Sequence, residues 1–269
     1  MKNLRMKVNL LLLSSLGIVS PSQAWLSDLG NGLIYDDVLK IAWMKNANLF
    51  KTLCDANDPL ATGFIPVVSA NVNTICANNG AMLWDDAEAW IARLNTHNYL
   101  GYNDWRQPKT LQPDTSCETF VQGIYSSPAH WTGYNCRGSE MPHLFGGQFP
   151  GVSGGLANPN HQGTGTTVGP DGEFGTQGSE CALYMVSNCL FNTGPFENLQ
   201  ASAYWSGTEF PTFASTAASA WIFSFYNGGQ EGGFHKSSVP IYVFPVRDMP
   251  FLIPIAKPKK GNLIESWDQ

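Results

Sequence analysis

The stretch WDDAEAWIARLNTHNYLGYNDWRQP, residues 84–108, decides how the rest of the chain is read. Asp85 is placed to cap a helix N-terminus, and Glu88, three residues on, completes a capping box. Ala87, Trp90, Ile91 and Leu94 recur at i, i+3, i+4 and i+7, which predicts one apolar helix face. Asp86, Glu88 and Arg93 are expected on the opposite, outward face. Asn95 to Gly101 ends the helix, with Asn98 and Gly101 able to take left-handed backbone. The polar phrase Asp104-Trp105-Arg106-Gln107-Pro108 follows.

Working outward, Leu33–Met44 reads as a hairpin, with Asp36-Asp37 opening the turn between Leu33-Ile34-Tyr35 and Ile41-Ala42-Trp43-Met44. Residues 52–80 show no helical period and read as a disulfide-closed excursion. Thr115-Ser116-Cys117-Glu118 matches a second capping box, and Phe120, Val121, Ile124 and Tyr125 would supply the apolar face of a second helix. From Ser126 to Ala203 the chain is rich in Gly, Asn, Ser, Thr and Pro, with strand-like pieces at His130–Tyr134 and Ala182–Val186. We read this as an ordered insertion, because cysteines flank its Gly-rich centre. Tyr204–Thr208, Ala220–Tyr226 and Ile241–Val246 read as strands, with a turn at Asn227-Gly228-Gly229. The last 21 residues, 249–269, hold three prolines and read as a tail.

These phrases in their order resemble the Lcl carboxy-terminal domain family: the Ile-Ala-Trp-Met hairpin, the helix from Trp84-Asp85 through Trp90, Trp105-Arg106 with Pro108, the Tyr204-Trp205-Ser206 strand and the terminal Pro245-Val246-Arg247. The resemblance runs from about Gly32 to Asp248, interrupted by the insertion at 126–203. Gln107 stands where the family usually has Leu. The family looks like a branch of the C-type-lectin-like fold shared with formylglycine-generating enzymes. What this implies is an α+β domain, about residues 25–248, with two helices packed on small twisted antiparallel sheets and long disulfide-closed loops. The better-understood members of the family are surface adhesins that bind sulfated or other glycans. The resemblance therefore implies a non-enzymatic partner role toward glycans or cell-surface proteins. A structural envelope module and an enzyme on the same scaffold are the alternatives, since fold alone does not license function. The cysteine pair that formylglycine-generating enzymes keep in their terminal strands has no counterpart, as no cysteine follows Cys189.

Residues 1–24 have the form of a signal peptide: basic Lys2, Arg5 and Lys7, an apolar run Val8–Val19, and Ser22-Gln23-Ala24 before the expected cut. Removing them from the 269 residues leaves about 245, enough for one domain with a sizeable core. The formal charge of −6 becomes −9 once the three basic residues leave. An acidic exported protein without a Lys/Arg cluster in its body is a poor match to nucleic acid. Export and an even count make disulfides the expected state of Cys54, Cys76, Cys117, Cys136, Cys181 and Cys189. Six cysteines permit 15 connectivities. Sequential pairing, Cys54–Cys76, Cys117–Cys136 and Cys181–Cys189, is the expectation among them because each pair closes a local loop, worth ~2–4 kcal/mol.

Trp43, Trp90, Trp105, Trp205 and Trp221 are expected in the core. Arg106 and Arg247 are expected to hold the fold through charge-assisted hydrogen bonds. No catalytic residue or cofactor is assigned. Calcium is weighed at two places. Gln112-Pro113-Asp114 matches a tripeptide that C-type lectins use, yet Asp114 or Thr115 is better explained as a helix cap, and calcium needs several further oxygens. Asp171-Gly172-Glu173 is a similar oxygen-ligand candidate. Gly151-Val152-Ser153-Gly154-Gly155 matches a nucleophile elbow in letters only, without strand before and helix after. The five histidines, His97, His130, His143, His161 and His235, are scattered. A glycan site needs aromatic platforms beside planar polar side chains. Trp131, Tyr134 and Asn135 in the insertion fit that chemistry, as do Glu209, Tyr226, Asn227, Gln230, Glu231 and His235 around the late strands.

Overall fold

The structure is a computed structural model that describes residues 26–123, 127–134, 136–146, 190, 193–211 and 218–249. The expected signal segment, nearly all of the tail, Asn135, the Gly-x-Ser-x-Gly match, Asp171 to Glu173, the strand at 182–186 and the pair Cys181–Cys189 lie outside the described residues.

The N-terminal hairpin forms because Leu33-Ile34-Tyr35 and Ile41–Met44 are apolar and bounded by a turn that Asp36 ties. The Asp36 carboxylate accepts the N–H groups of Val38 and Leu39, both at 3.0 Å. Strands β1 (Leu26–Asp28), β2 (Leu33–Asp36) and β3 (Ile41–Met44) are antiparallel. The C-terminal β9 (Val246–Asp248) pairs antiparallel with β3, so both ends of the described chain share one sheet in the order β1-β2-β3-β9. A second sheet holds β6 (Ala203–Phe210), β7 (Ser219–Ser224) and β8 (Gln230–His235), all antiparallel. The strands β4 (Thr119–Val121) and β5 (His130–Thr132) make a third.

The fold is α+β with small antiparallel sheets, but its helices differ from expectation. The excursion after β3 folds into α1 (Leu49–Asp55), α2 (Pro59–Thr62) and α3 (Val72–Ala77). Asp58 caps α2 by accepting the Leu60 N–H, with Pro59 in the first turn, and Asn71 caps α3 by accepting the Thr74 N–H. Helices of four to seven residues, one to two turns, are too short to show a 3.6-residue period; α2 and α3 carry side-chain caps, and α1 has none. The Cys54–Cys76 disulfide joins α1 to α3.

The long helix α4 (Trp84–Thr96) buries Ala87, Trp90, Ile91 and Leu94 as the periodicity requires. Its N-terminus corrects the capping box. Leu83 occupies the cap position without a side-chain bond. The Trp84 N–H donates instead to the Lys236 carbonyl, and Glu88 accepts from the Gln107 amide at 2.6 Å. The expected outer face is wrong at Asp86, which is fully buried. Its carboxylate accepts the N–H groups of Val67, Val68 and Ser69 at 2.6, 2.8 and 3.0 Å, and the Ser69 hydroxyl. Arg93 likewise turns back, donating to the carbonyls of Leu60 and Pro59. Phe50 and Phe64 pack edge-on against Trp90, at 4.8 and 5.9 Å between ring centres.

The segment Trp105–Pro108 lies between the two larger sheets. Asn95 fixes Trp105 from both sides, its oxygen accepting the Trp105 N–H and its amide donating to the Trp105 carbonyl. Arg106 exchanges two backbone bonds with Val246, at 2.8 and 2.9 Å. The Pro108 carbonyl accepts the Ser206 hydroxyl and the Gly207 N–H. Arg106 forks onto Glu140 at 2.7 and 2.8 Å and meets Asp248. Arg247 forks onto Asp104 and lies over the Tyr102 ring, 3.8 Å from its centre. Trp43, Trp90, Trp105, Trp205 and Trp221 are all buried.

Two predictions follow from these polar contacts. Asp86→Ala strands three backbone donors and should cost about 3 kcal/mol or more, read as a lower urea midpoint of the oxidised protein. The second concerns acid. Hydrogen bonding from Arg106 holds the Asp248 carboxyl below its usual range, and the Gly30 N–H with Lys45 does the same for Asp28. Depressed folded values mean stability that is present above the ordinary carboxylate pKa and lost as pH falls through the folded one. Melting temperature should therefore drop below about pH 4, with a shallower acid limb in Asp248→Asn. An unchanged limb in that variant would refute the assignment.

Candidate functional site

The expected second helix after Thr115 does not form. Asp114 is buried and ties two stretches together: its carboxylate accepts from Ser116 N–H and hydroxyl, and from Gly138 N–H and the Ser139 hydroxyl. The Cys117–Cys136 disulfide closes the same loop over a separation of 19 residues. Thr119, Phe120 and Val121 are thereby set against Thr132, Trp131 and His130 as antiparallel partners. The aromatic and β-branched run, broken by Gly123 and Pro128, suits a hairpin better than a helix that Gly and Pro would interrupt.

Alternation along β5 sends its side chains two ways. His130 packs against Phe210 and Trp221, at 4.9 and 5.6 Å between ring centres. Trp131 lies beside the exposed Phe120, 5.1 Å away, as an aromatic pair. The Gln112 side chain brackets Trp131 by accepting its N–H and donating to its carbonyl. Gln112 and Asp114, two of the three residues of the lectin-type tripeptide, are thus engaged in building this hairpin. Neither Asp114 nor Thr115 caps a helix.

β5 is joined to β8 where Gly133 and Gln230 exchange backbone bonds of 2.9 and 2.8 Å. That junction brings Tyr134 to the turn after β7. The Tyr134 hydroxyl lies 3.5 Å from the Asn227 amide, and the Asn227 oxygen accepts the Gly229 N–H. A Cβ on Gly229 would stand within 3.5 Å of Asn227, Glu231 and Tyr134 together, so these three side chains ring one spot. Gly228 has φ +77°, and a Cβ there would meet the Phe145 ring at 2.6 Å, so the turn requires glycine. Phe145 belongs to α5 (Glu140–Gly146), which thereby supports the turn. Burial, then the Glu231 and Glu118 carboxylates, push the Tyr134 phenol above its ordinary range.

The nine candidates therefore divide. Tyr134, Asn227 and Glu231 meet at one end of β7, with Trp131 on the adjoining β5 and the exposed Tyr226 in the same turn. Gln230 is fully buried, its amide directed at the Cys117 sulfur, which removes its side chain from any surface site. Glu209 and His235 lie at the opposite end of β7, toward Ser219. Glu209 pairs with Lys236 at 2.6 Å, whose ammonium sits 3.9 Å from the Trp84 ring centre. His235 holds Ser237 through Nδ1. Asn135 is outside the described residues. Reading the sequence missed Phe120 and Glu118, because both were placed on a helix; the Thr-Phe-Val run before Gly123 was the available strand signal.

The described histidines do not converge. His130 stacks in the core, His235 holds Ser237, His97 accompanies the Arg93 carbonyl, and His143 lies 3.6 Å from Asp36 in a buried pair. Among the described residues, the group at metal-ligand spacing is Asp114 with Cys117 and Cys136. Both sulfurs are bonded to each other and are not thiolate ligands. No protein family, curated protein or solved structure matches the chain.

The contribution of Glu231 to the Tyr134 shift, second to that of burial, is testable. Glu231→Gln should lower the pH of its ionisation, read by ultraviolet difference titration with Tyr134→Phe as the blank. An unmoved titration would separate Glu231 from the site.

Proposed function

We propose that this chain is a glycan-binding domain of an exported protein, recognising sugar hydroxyls at the Tyr134–Asn227–Glu231 cluster, with the Phe120–Trp131 pair of the β4–β5 hairpin as its aromatic platform. The observation that carries the proposal is the meeting of the Tyr134 phenol, the Asn227 amide and the Glu231 carboxylate around Gly229, with the partly exposed Phe120–Trp131 pair on the hairpin that leads into Tyr134. Aromatic faces cover the apolar faces of a sugar ring, while planar amides and carboxylates bond its hydroxyls. The carboxylates of Glu118 and Glu231 favour neutral glycans over sulfated ones, by like-charge repulsion.

A C-type-lectin-like scaffold belongs to the same proposal. It is supported by the sheet that joins the two ends of the described chain, by the long α4, by the late antiparallel sheet and by two loop-closing disulfides. Export is supported by the same disulfides, which persist in oxidising compartments. No helix among the described residues is long and apolar enough to cross a membrane. The alternative of an envelope interaction module acting through the insertion falls largely on residues outside the described set.

A glycan array probed with the oxidised protein, with and without chelator, tests the reading. Binding to neutral glycans that survives chelation is expected. Trp131→Ala and Asn227→Ala should each weaken it roughly tenfold, about 1.4 kcal/mol. Silence across the array overturns the proposal, and binding abolished by chelator would assign recognition to calcium instead.

A further inference from the structure

From Pro59 to Trp84 the sequence contains no Asp, Glu, Lys, Arg or His. Within it, Ile65, Val67 and Val68 are 84%, 68% and 41% exposed, an unusual display of aliphatic side chains on one short loop. The loop is held from both ends. Phe64 is buried against Phe50 and Trp90, and the N–H groups of Val67, Val68 and Ser69 are gathered by the buried Asp86. A segment tethered this way has already given up its conformational entropy before any partner arrives.

Beside the loop, and sharing Ser69 with it, is an open groove of about 690 Å³. Asn71, Asn73, Thr74 and Asn78 are among the residues that line it, together with Pro240, whose neighbour Val239 is 45% exposed. None of the lining residues carries a charge. A protruding aliphatic loop and a neutral recess thus stand side by side on one face.

We propose that this face is a self-association surface on which two copies of the chain meet about a two-fold axis, the Ile65–Val68 loop of each copy seated in the groove of the other. An isologous contact needs complementary features on the same patch, and adjacent loop and groove meet that condition. Charge points the same way. The chain carries a formal net charge of −6, so two copies repel through most of their surfaces. The loop and the groove, from Ile65 to Ala81, contribute no charged side chain to the contact. Asp86 behind the loop is fully buried, and Arg93, which packs on the start of the stretch, is engaged on the Leu60 and Pro59 carbonyls. A membrane surface fits less well, since no Lys or Arg within the stretch would meet anionic headgroups.

Sedimentation velocity of the oxidised full chain over a wide concentration range tests the proposal. A concentration-dependent dimer is expected. Ile65→Asp and Asn73→Arg both change exposed side chains, and circular dichroism with thermal unfolding reports whether each variant is folded. Each variant alone should weaken the dimer at least about tenfold, because each change occurs twice in a two-fold contact. Mixing the two variants should restore a heterodimer, since the acidic loop of one then meets the basic groove of the other. A monomer at every concentration, a dimer indifferent to both substitutions, or a mixture that fails to reassociate would each overturn the proposal.

Discussion

The structure depends on the clamping of residues 104–108 between two sheets. Arg106 pairs through its backbone with Val246 on one side, and the Pro108 carbonyl takes two donors from Ser206 and Gly207 on the other. Each contact satisfies backbone groups that burial would otherwise leave unpaired, at a cost of roughly 1–3 kcal/mol apiece. The Arg106 side chain extends the clamp by meeting Glu140 at the start of α5 and Asp248 in β9. Three stretches far apart in the chain are thereby held in one place. Gln107 follows the same logic. It is buried and bonds Glu88, so a polar side chain sits inside with a polar partner on α4.

That clamp fixes what the candidate site can be. The chain leaving Pro108 runs directly into the Gln112–Asp114 phrase, whose polar atoms build the β4–β5 hairpin. The hairpin docks on β8 through Gly133 and Gln230, and Tyr134 emerges at the turn that Asn227 and Gly229 form. The site is therefore a product of sheet junctions, with the Cys117–Cys136 bridge and the Asp114 carboxylate holding its near edge. Residues at the far end of β7 serve another purpose. Glu209, Lys236 and Trp84 form a stack that ties the start of α4 to the late sheet.

Asp86 shows how one buried charge can shape a surface. Its carboxylate supplies acceptors for three consecutive N–H groups, which a loop of that shape cannot satisfy internally. Helix periodicity does not register this. Position 86 lies just before the apolar stripe at 87, 90, 91 and 94, and by composition it belongs outside. The excursion from α1 to α3 packs over that part of the helix and covers it.

The sequence by itself determined the N-terminal hairpin, the apolar stripe of α4, the burial of the five tryptophans and strand character at Tyr204–Thr208 and in most of Ala220–Tyr226. It favoured, among fifteen possible pairings, the two loop-closing disulfides that form. Each of these is written in local periodicity, residue size or short loop closure. The Ile241–Val246 run is strand only at Val246, with isolated bridges at Ile241 and Tyr242. Only the tertiary structure decided where the polar side chains point. It moved Asp86 and Arg93 inward, gave Glu88 to Gln107 rather than to a helix cap, and turned the segment after Thr115 from helix to strand. It also divided the glycan candidates, collecting Tyr134, Asn227 and Glu231, burying Gln230 and sending Glu209 and His235 to the opposite end. The physical reason is that apolar burial is non-directional and follows a repeating pattern along the chain. A hydrogen bond is directional, and its partner here stands 17 to 19 residues away for Asp86 and 93 for Tyr134.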